Sequence, residues 1–250
     1  MRAIVSDIHA NLAALKAVLE DIREHGVSEI YCLGDVIGYG AEPGECIDLA
    51  REFDLTLMGN HEQALLDESK EEHFNSYARR AISWTRQELS LVGEDRDVNA
   101  PRWDFLGALA KKKTEDGTLY VHASPRRPVM EYLRPNMMAQ ERTRRDVFDR
   151  VQRRCFVGHT HVPGVFLEDG SFLSPENVDY RYEVGDQKAI VNVGSVGQPR
   201  DRDTRACYVL VGRDELEFRR VSYPIKETME KIRSIPELDP FLAQRLKNGR

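Results

Sequence analysis

Short apolar runs rich in β-branched residues recur along the chain, each closed by Gly, Pro, Asp or Asn. They are AIVSDIH from Ala3, EIYCLGD from Glu29, LTLMGNHE from Leu55, TLYVHASP from Thr118, CFVGHTH from Cys155, AIVNVGSVG from Ala189, ACYVLVG from Ala206 and ELEFRRV from Glu215. Runs this short and apolar, bounded by turn residues, predict buried strands. Helix patterns lie between the early ones. Leu12, Leu15, Val18, Leu19 and Ile22 fall on one face of a helix that Asn11 can cap and Gly26 can close. EPGECIDLAREF, from Glu42, predicts a shorter second helix.

From Leu66 to Lys113 the helix signal dominates. Tyr77, Ala81, Trp84 and Leu89 recur at helical spacing, and WDFLGALA predicts another helix after a break at Pro101. This segment, 66–113, reads as a helical insertion over the core, with its aromatic residues as packing. At the far end, 223–250, two helix patterns are broken at Pro236 and Pro240. The stripe of Ile225, Met229, Ile232 and Ile235 can dock on its own core or on a second subunit, which leaves a homo-oligomer open. Strands alternating with helices predict an α/β layered core in the first third, and the later strands, with few helices between them, predict a second sheet. Residues 1–222 therefore read as one domain carrying the insertion, and 223–250 as a C-terminal helical tail.

Composition narrows the class. With 41% apolar and 31% charged residues among 250, the chain is an ordinary globular protein, and no apolar stretch suggests a membrane span. The opening MRAIVSDIHA lacks the apolar region and cleavage site of a signal peptide. Cys32, Cys46, Cys155 and Cys207 form no C-x-x-C pair, and three lie in apolar runs, so a cytoplasmic location with reduced, packed thiols is expected. A net charge of −6 counts against a nucleic-acid partner. One stretch departs from that balance: Arg126 to Arg154 holds nine arginines against Glu131, Glu141, Asp146 and Asp149. A solvated helix face is the plain reading of it, and an anion-collecting rim the sharper one.

The chemistry gathers where strands end. The first run ends in Asp7 and His9, the second in Asp35 after Gly34, the third in Asn60 and His61 after Gly59, the fourth in His122, and the fifth in His159 and His161. Strand ends in layered α/β sheets converge on one edge, where ligands bind. Alternate residues of an extended segment share a face, so Asp7 with His9, and His159 with His161, can feed one metal or one each of two adjacent metals. Gly34, Gly59 and Gly158 permit close backbone approach. Burying these aspartates and histidines together without a cation would leave charges whose desolvation costs about several kcal/mol each, so the constellation calls for metal. A nitrogen and oxygen shell without thiolate suits Mn, Fe, Co, Ni or Zn.

In this order, DIH, GD, GNHE, a lone His after an apolar strand, and GHTH resemble the metallophosphoesterase superfamily, the calcineurin-like phosphoesterases. GDVIGYGAEP and NVGSVGQPRD resemble a branch of small bacterial phosphodiesterases and phosphatases and extend the likeness to about Asp201. The resemblance implies an α/β/β/α four-layer sandwich. It implies two divalent or trivalent metal ions, one held by Asp7, His9 and His161, the other by Asn60, His122 and His159, with Asp35 bridging. His61 would be the proton donor or transition-state clamp. Glu62, where many relatives carry Asp, would orient it, and Ala10 stands where Gly is common. The implied activity is hydrolysis of a phosphodiester or a small phosphorylated metabolite by a hydroxide shared between the metals. Arg126 and Arg127 are candidate phosphate contacts because guanidinium forks match that geometry, and Tyr39 is a candidate for the leaving-group side. Protein serine/threonine phosphatase and dinucleoside polyphosphatase activities share this chemistry. A non-catalytic scaffold is disfavoured because His61 and every ligand position are kept, and a nuclease because the surface is acidic.

Overall fold

After its first residue, strand β1 (Arg2–Val5) is apolar on both faces, so both need covering. In a computed structural model describing all 250 residues, Met1–Arg250, Ala3 and Val5 face helices while Ile4 faces a second sheet. The first sheet has the order β3 (Leu55–Thr56), β2 (Glu29–Cys32), β1, β11 (Ala206–Val211), β12 (Glu215–Val221) and β9 (Arg181–Glu183). The second has the order β4 (Lys112–Glu115), β5 (Thr118–Val121), β6 (Arg154–Val157), β10 (Ala189–Asn192), β7 (Gly164–Leu167) and β8 (Phe172–Leu173). Strands β1 to β3 are parallel, as are β5, β6 and β10, so each sheet sends three strand ends the same way.

Period-two alternation sorts the side chains into three cores. Between the sheets, Ile4, Tyr31, Leu33 and Val209 meet Tyr120, Phe156 and Val191. Outside the first sheet, Ala3, Val5, Cys32 and Tyr208 pack under α1 (Leu12–Glu24), α2 (Pro43–Ala50), α3 (Asn60–Leu66), α4 (Ser76–Glu88), α5 (Arg96–Ala108), α8 (Ile225–Ser234) and α9 (Pro240–Asn248). Outside the second, Cys155, Val157 and Ile190 pack under α6 (Pro135–Met138) and α7 (Glu141–Phe148). The result is the helix, sheet, sheet, helix sandwich the sequence implied. All four cysteines are buried and unpaired, and no helix is long and apolar enough to cross a membrane.

Two local expectations fail. No break occurs at Pro101, which lies inside α5. Asp97, whose carbonyl the proline leaves without a donor, is exposed, so water can satisfy it. The run from Leu55 forms only a two-residue strand, and Asn60 and His61 begin helix α3 instead of ending a strand. The edge strand β4, KKTE, carries no apolar signal and could not be read from the sequence.

One polar tie holds α1 to the first sheet. Asp21 accepts from the Tyr208 hydroxyl at 2.6 Å and from Arg219 at 3.1 and 3.2 Å. Burial alone would raise its carboxyl, and the Arg219 and Tyr208 hydrogen bonds outweigh this and lower it. A depressed carboxyl contributes stability above its unfolded pKa, which is lost as pH falls through the folded value. Asp21→Asn should therefore destabilise the protein by about 1 kcal/mol at neutral pH, allowing for partial exposure, and the gap should close below about pH 4. Denaturant titrations of both proteins at neutral and acid pH read this directly.

Candidate metal centre

Beyond the ends of β1 and β2 the two chains stay paired: Asp7 N donates to Gly34 O at 3.0 Å, His9 N to Asp35 O at 2.9 Å and Ala10 N to Val36 O at 2.8 Å. The turns there are left-handed, with φ of 55° at Asp7, 50° at His9, 55° at Asp35, 62° at His159 and 60° at His161. Non-glycine residues adopt this region at a cost of about 1–3 kcal/mol each, and such strain clusters where side-chain aim matters. Asp7 with His9, and His159 with His161, thus share a side through tight left-handed turns, not through the extended alternation that their spacing suggested.

Gly34, at φ +115°, backs directly onto the Gly59 backbone, so the loops after β2 and β3 touch where a side chain would separate them. At Gly158 a Cβ would strike Ser6 Oγ and Asp7 Oδ2. Here the two sheets join, because His159 N donates to Asp7 Oδ2 at 2.9 Å. Gly158→Ala should displace the Asp7 carboxylate and weaken metal affinity by about 10–100-fold, as when a group that orients a ligand is lost. Metal titration against a competing chelator measures it.

All seven candidate ligands are buried and come together. Asp7, His9 and His161 form one group able to hold a metal ion, and Asp35, His122 and His159 a second. In the first, His161 Nε2 lies 3.2 Å and His9 Nε2 3.8 Å from Asp7 Oδ1. In the second, His122 Nε2 lies 3.3 Å from Asp35 Oδ2, 3.1 Å from His159 Nδ1 and 3.1 Å from Asn60 Oδ1. Asp35 Oδ2 is also 3.7 Å from His9 Nε2, which puts Asp35 between the groups. Ligands each about 2.0–2.2 Å from a common ion sit about 3–3.5 Å from one another, which matches this spacing. A third group joins His61 to His9 and Asp35, although His61 was not expected among ligands.

The ring orientations of His9 and His161 fit cation binding. His9 Nδ1 meets Ile37 O at 3.0 Å and His161 Nδ1 meets Gln198 O at 2.5 Å, so each ring turns its N–H to a carbonyl. Their Nε2 lone pairs then face each other at 3.1 Å, an arrangement that is repulsive unless a cation lies beside both. Asp7 Oδ1 is buried without a hydrogen-bond partner. Burial pushes His159 down to about 3 and His9 well below the usual imidazole range, leaving neutral donors. His122 goes the other way: burial would lower it, but Asp35 outweighs this and raises it to about 9. Asp35 is held well below the usual carboxylate range against its burial, chiefly by His122 and then by His61.

Glu62 does not orient His61. Its carboxylate accepts from Asp35 N and Gly59 N, each at 2.8 Å, and from Ile37 N at 3.2 Å, fastening α3 to the loop that carries Asp35. Burial, with Asp35 nearby, pushes its carboxyl up to about 7. The supports in NVGSVGQ were not assigned from the sequence. Ser195 Oγ donates to Asp7 O at 2.8 Å, and Asn192 donates to Gly158 O at 2.7 Å and Thr160 Oγ1 at 2.9 Å. Their only sequence signal was the likeness of that stretch to family members.

A cavity of about 260 Å³ lies against the centre, touching Tyr39, Asn60, Phe74, Arg127, Tyr132 and His159. Tyr39 packs against both the His9 and His61 rings, at 4.6 and 4.5 Å. Arg127 reaches this cavity, but Arg126 does not line it. Arg126 pairs with Glu131 and, at 3.0 Å, with Asp146, so its guanidinium is already engaged by carboxylates. Two more arginines of the stretch are likewise engaged, Arg145 by Glu141 and Arg150 by Asp146. Sequence reasoning missed Tyr132, whose ring stacks on His159 at 4.0 Å, and Phe74, 4.9 Å from His61. A lone aromatic in a loop gives no periodic signal.

Comparison with known proteins agrees with this fold. A model of the calcineurin-like phosphoesterase superfamily domain matches residues 1–215. An uncharacterized protein of Methanocaldococcus jannaschii is 39% identical over 259 residues, covering 100% of this chain and 98% of that protein. A metallophosphoesterase from Sphaerobacter thermophilus superimposes with a TM-score of 0.81 at 34% identity, over 99% of this chain and 98% of that one. A hypothetical protein from Pyrococcus horikoshii shares the fold, with a TM-score of 0.76 at 19% identity over 100% and 98% of the two chains.

Proposed function

Because the chain belongs to the calcineurin-like phosphoesterase superfamily, we propose that it hydrolyses phosphoesters at a pair of metal ions. Asp7, His9 and His161 would hold one ion and Asn60, His122 and His159 the other, with Asp35 between the two groups. The observation that carries this reading is the facing of the His9 and His161 lone pairs beside two buried carboxylates. The donor set, which lacks thiolate, suits Mn, Fe, Co, Ni or Zn. Bound ions would supply an activated water and neutralise charge on the phosphoryl oxygens.

The chain's own residues do the rest. Backbone carbonyls of Ile37 and Gln198 fix the ring tautomers, and Glu62 and Ser195 hold the loops that aim Asp35 and Asp7. Burial pushes His61 down to about 4, so its ring is neutral at neutral pH and acts as a clamp, giving an N–H to the leaving oxygen. Its Nδ1 has no partner within the protein. Tyr39 and Phe74 keep water from that ring. The cavity beside the centre suits a phosphodiester or a small phosphorylated metabolite, and the four buried thiols suit a reducing cytoplasm.

Chelated protein, reloaded with each metal in turn, should be assayed on monoester, diester, cyclic nucleotide, dinucleoside polyphosphate and phosphopeptide substrates, with elemental analysis alongside. The expected result is hydrolysis of a small phosphoester only after reloading, with about two ions per chain. Activity that survives chelation, or its absence from every loaded form, overturns the proposal.

A further inference from the structure

Beside the metal centre, across Tyr132, lies a larger cavity of about 630 Å³, within the size range of small-ligand sites. Three guanidiniums line it from three separate segments: Arg134 ahead of α6, Arg200 in the loop after β10, and Arg245 on α9. No Asp or Glu lines it. None of the three pairs with an acidic side chain. Arg200 donates to Gln198 Oε1 at 2.8 and 3.3 Å, and Arg245 Nε to Arg250 O at 2.6 Å. Burial, and then the charge of nearby Arg200, pushes Arg245 down to about 10. Arg145, Arg150 and Arg181, by contrast, are each paired to a carboxylate.

The remaining wall is largely apolar, with Asn136 and Thr160 its polar members. Phe166, Phe172, Leu133 and Val162 line it, and Tyr132 stands at the mouth with the Arg134 guanidinium 4.9 Å from its ring centre. The Tyr132 ring is thus stacked on His159 and covered by the Arg134 guanidinium, and the apolar side chains are what a flat ring would meet. Position links the cavity to the reaction. Thr160, between the two imidazoles of GHTH, lines it, and Arg200 N donates to His161 O at 3.2 Å. Arg245 falls outside residues 1–215, the part of the chain that matches the family domain, so the C-terminal helix supplies a group the domain itself lacks.

We propose that this cavity is a leaving-group subsite for a phosphorylated, ring-bearing half of the substrate, a nucleotide-like group whose own phosphate lies among Arg134, Arg200 and Arg245 while its ring rests on the apolar wall. The proposal rests on the phosphoesterase reading only for where the scissile phosphorus sits.

Calorimetric binding of adenosine 5′-monophosphate to the chelator-treated full-length protein tests it, because no metal then contributes. The nucleotide should bind, and adenosine and inorganic phosphate should each bind at least about tenfold more weakly, since each lacks one half of the recognition. Arg200→Gln and Arg245→Gln should each weaken the nucleotide by at least about tenfold, whereas Arg181→Gln, on an exposed strand pair, should leave it unchanged. Arg200→Gln, in a loop, guards against a folding defect in the helix variant. No binding of the nucleotide, phosphate binding as tightly as the nucleotide, or binding indifferent to both substitutions overturns the proposal. Any of these leaves hydrolysis by the metal-loaded protein standing, and failure of hydrolysis leaves nucleotide binding intact.

Discussion

Asp35→Asn should cost the protein both its second metal ion and more than about 10²-fold in turnover, a larger loss than follows when a residue that merely steers a ligand is changed. Asp35 touches both donor groups through one oxygen, 3.3 Å from His122 and 3.7 Å from His9, while its other oxygen accepts His61 N at 2.9 Å. An amide keeps the second contact and loses the charge that lies between the groups. Stability should respond in step. Ions that bind only the folded state stabilise it by about 2.7 kcal/mol at a hundredfold excess over Kd, so chelation should lower the melting midpoint of the parent protein. The variant should respond far less. Without metal it should lose stability at neutral pH, because the Asp35 carboxyl is held low by His122 3.3 Å away and the amide leaves that imidazole without its buried partner. Thermal melts with and without chelator, beside elemental analysis, decide the matter. A variant that keeps two ions per chain and melts with the parent's chelator response would remove Asp35 from the centre.

His61→Ala should lower kcat by about 10²–10⁴-fold with the metal content unchanged. Retention of both ions matters, because His61 also lies close enough to His9 and Asp35 to act as a ligand. His61→Gln should recover part of the loss, since an amide N–H can still meet the leaving oxygen. The pH profile separates a clamp from an acid. Burial pushes the imidazole down to about 4, so above that pH the neutral form dominates, and the parent's kcat should not fall between about pH 5 and 8 on account of this residue. If an imidazolium were required, kcat would drop steadily as pH rises through that window.

How far the site could be read from the sequence depended on what kind of signal each residue left. Asp7, His9, Asp35, Asn60, His122, His159 and His161 each lie just beyond an apolar run, and their shared direction follows from two sets of parallel strands. The layering was legible for the same reason: runs that are apolar at every position, such as Ile190 and Val191, must be covered on both faces. Left-handed turns at five of these ligand positions were not legible, because only a glycine advertises positive φ and these residues are Asp and His. Nor was the fate of Arg126. Its carboxylate partners lie 5 and 20 residues away, and nothing in an arginine count says which guanidiniums are already paired. Tyr132, Arg200 and Arg245 were missed because loop and tail residues acquire their meaning only when distant segments meet.

The donors are divided between the two sheets: Asp7, His9, Asp35 and Asn60 follow strands of the first, and His122, His159 and His161 follow strands of the second. Each of the two proposed ligand sets draws on both. During refolding, then, neither half can capture its ion before the layers have closed on Ile4, Leu33, Phe156 and Val191. Metal uptake should be a late event, following acquisition of the hydrophobic seam, and the rate of collapse should be indifferent to whether ions are in solution.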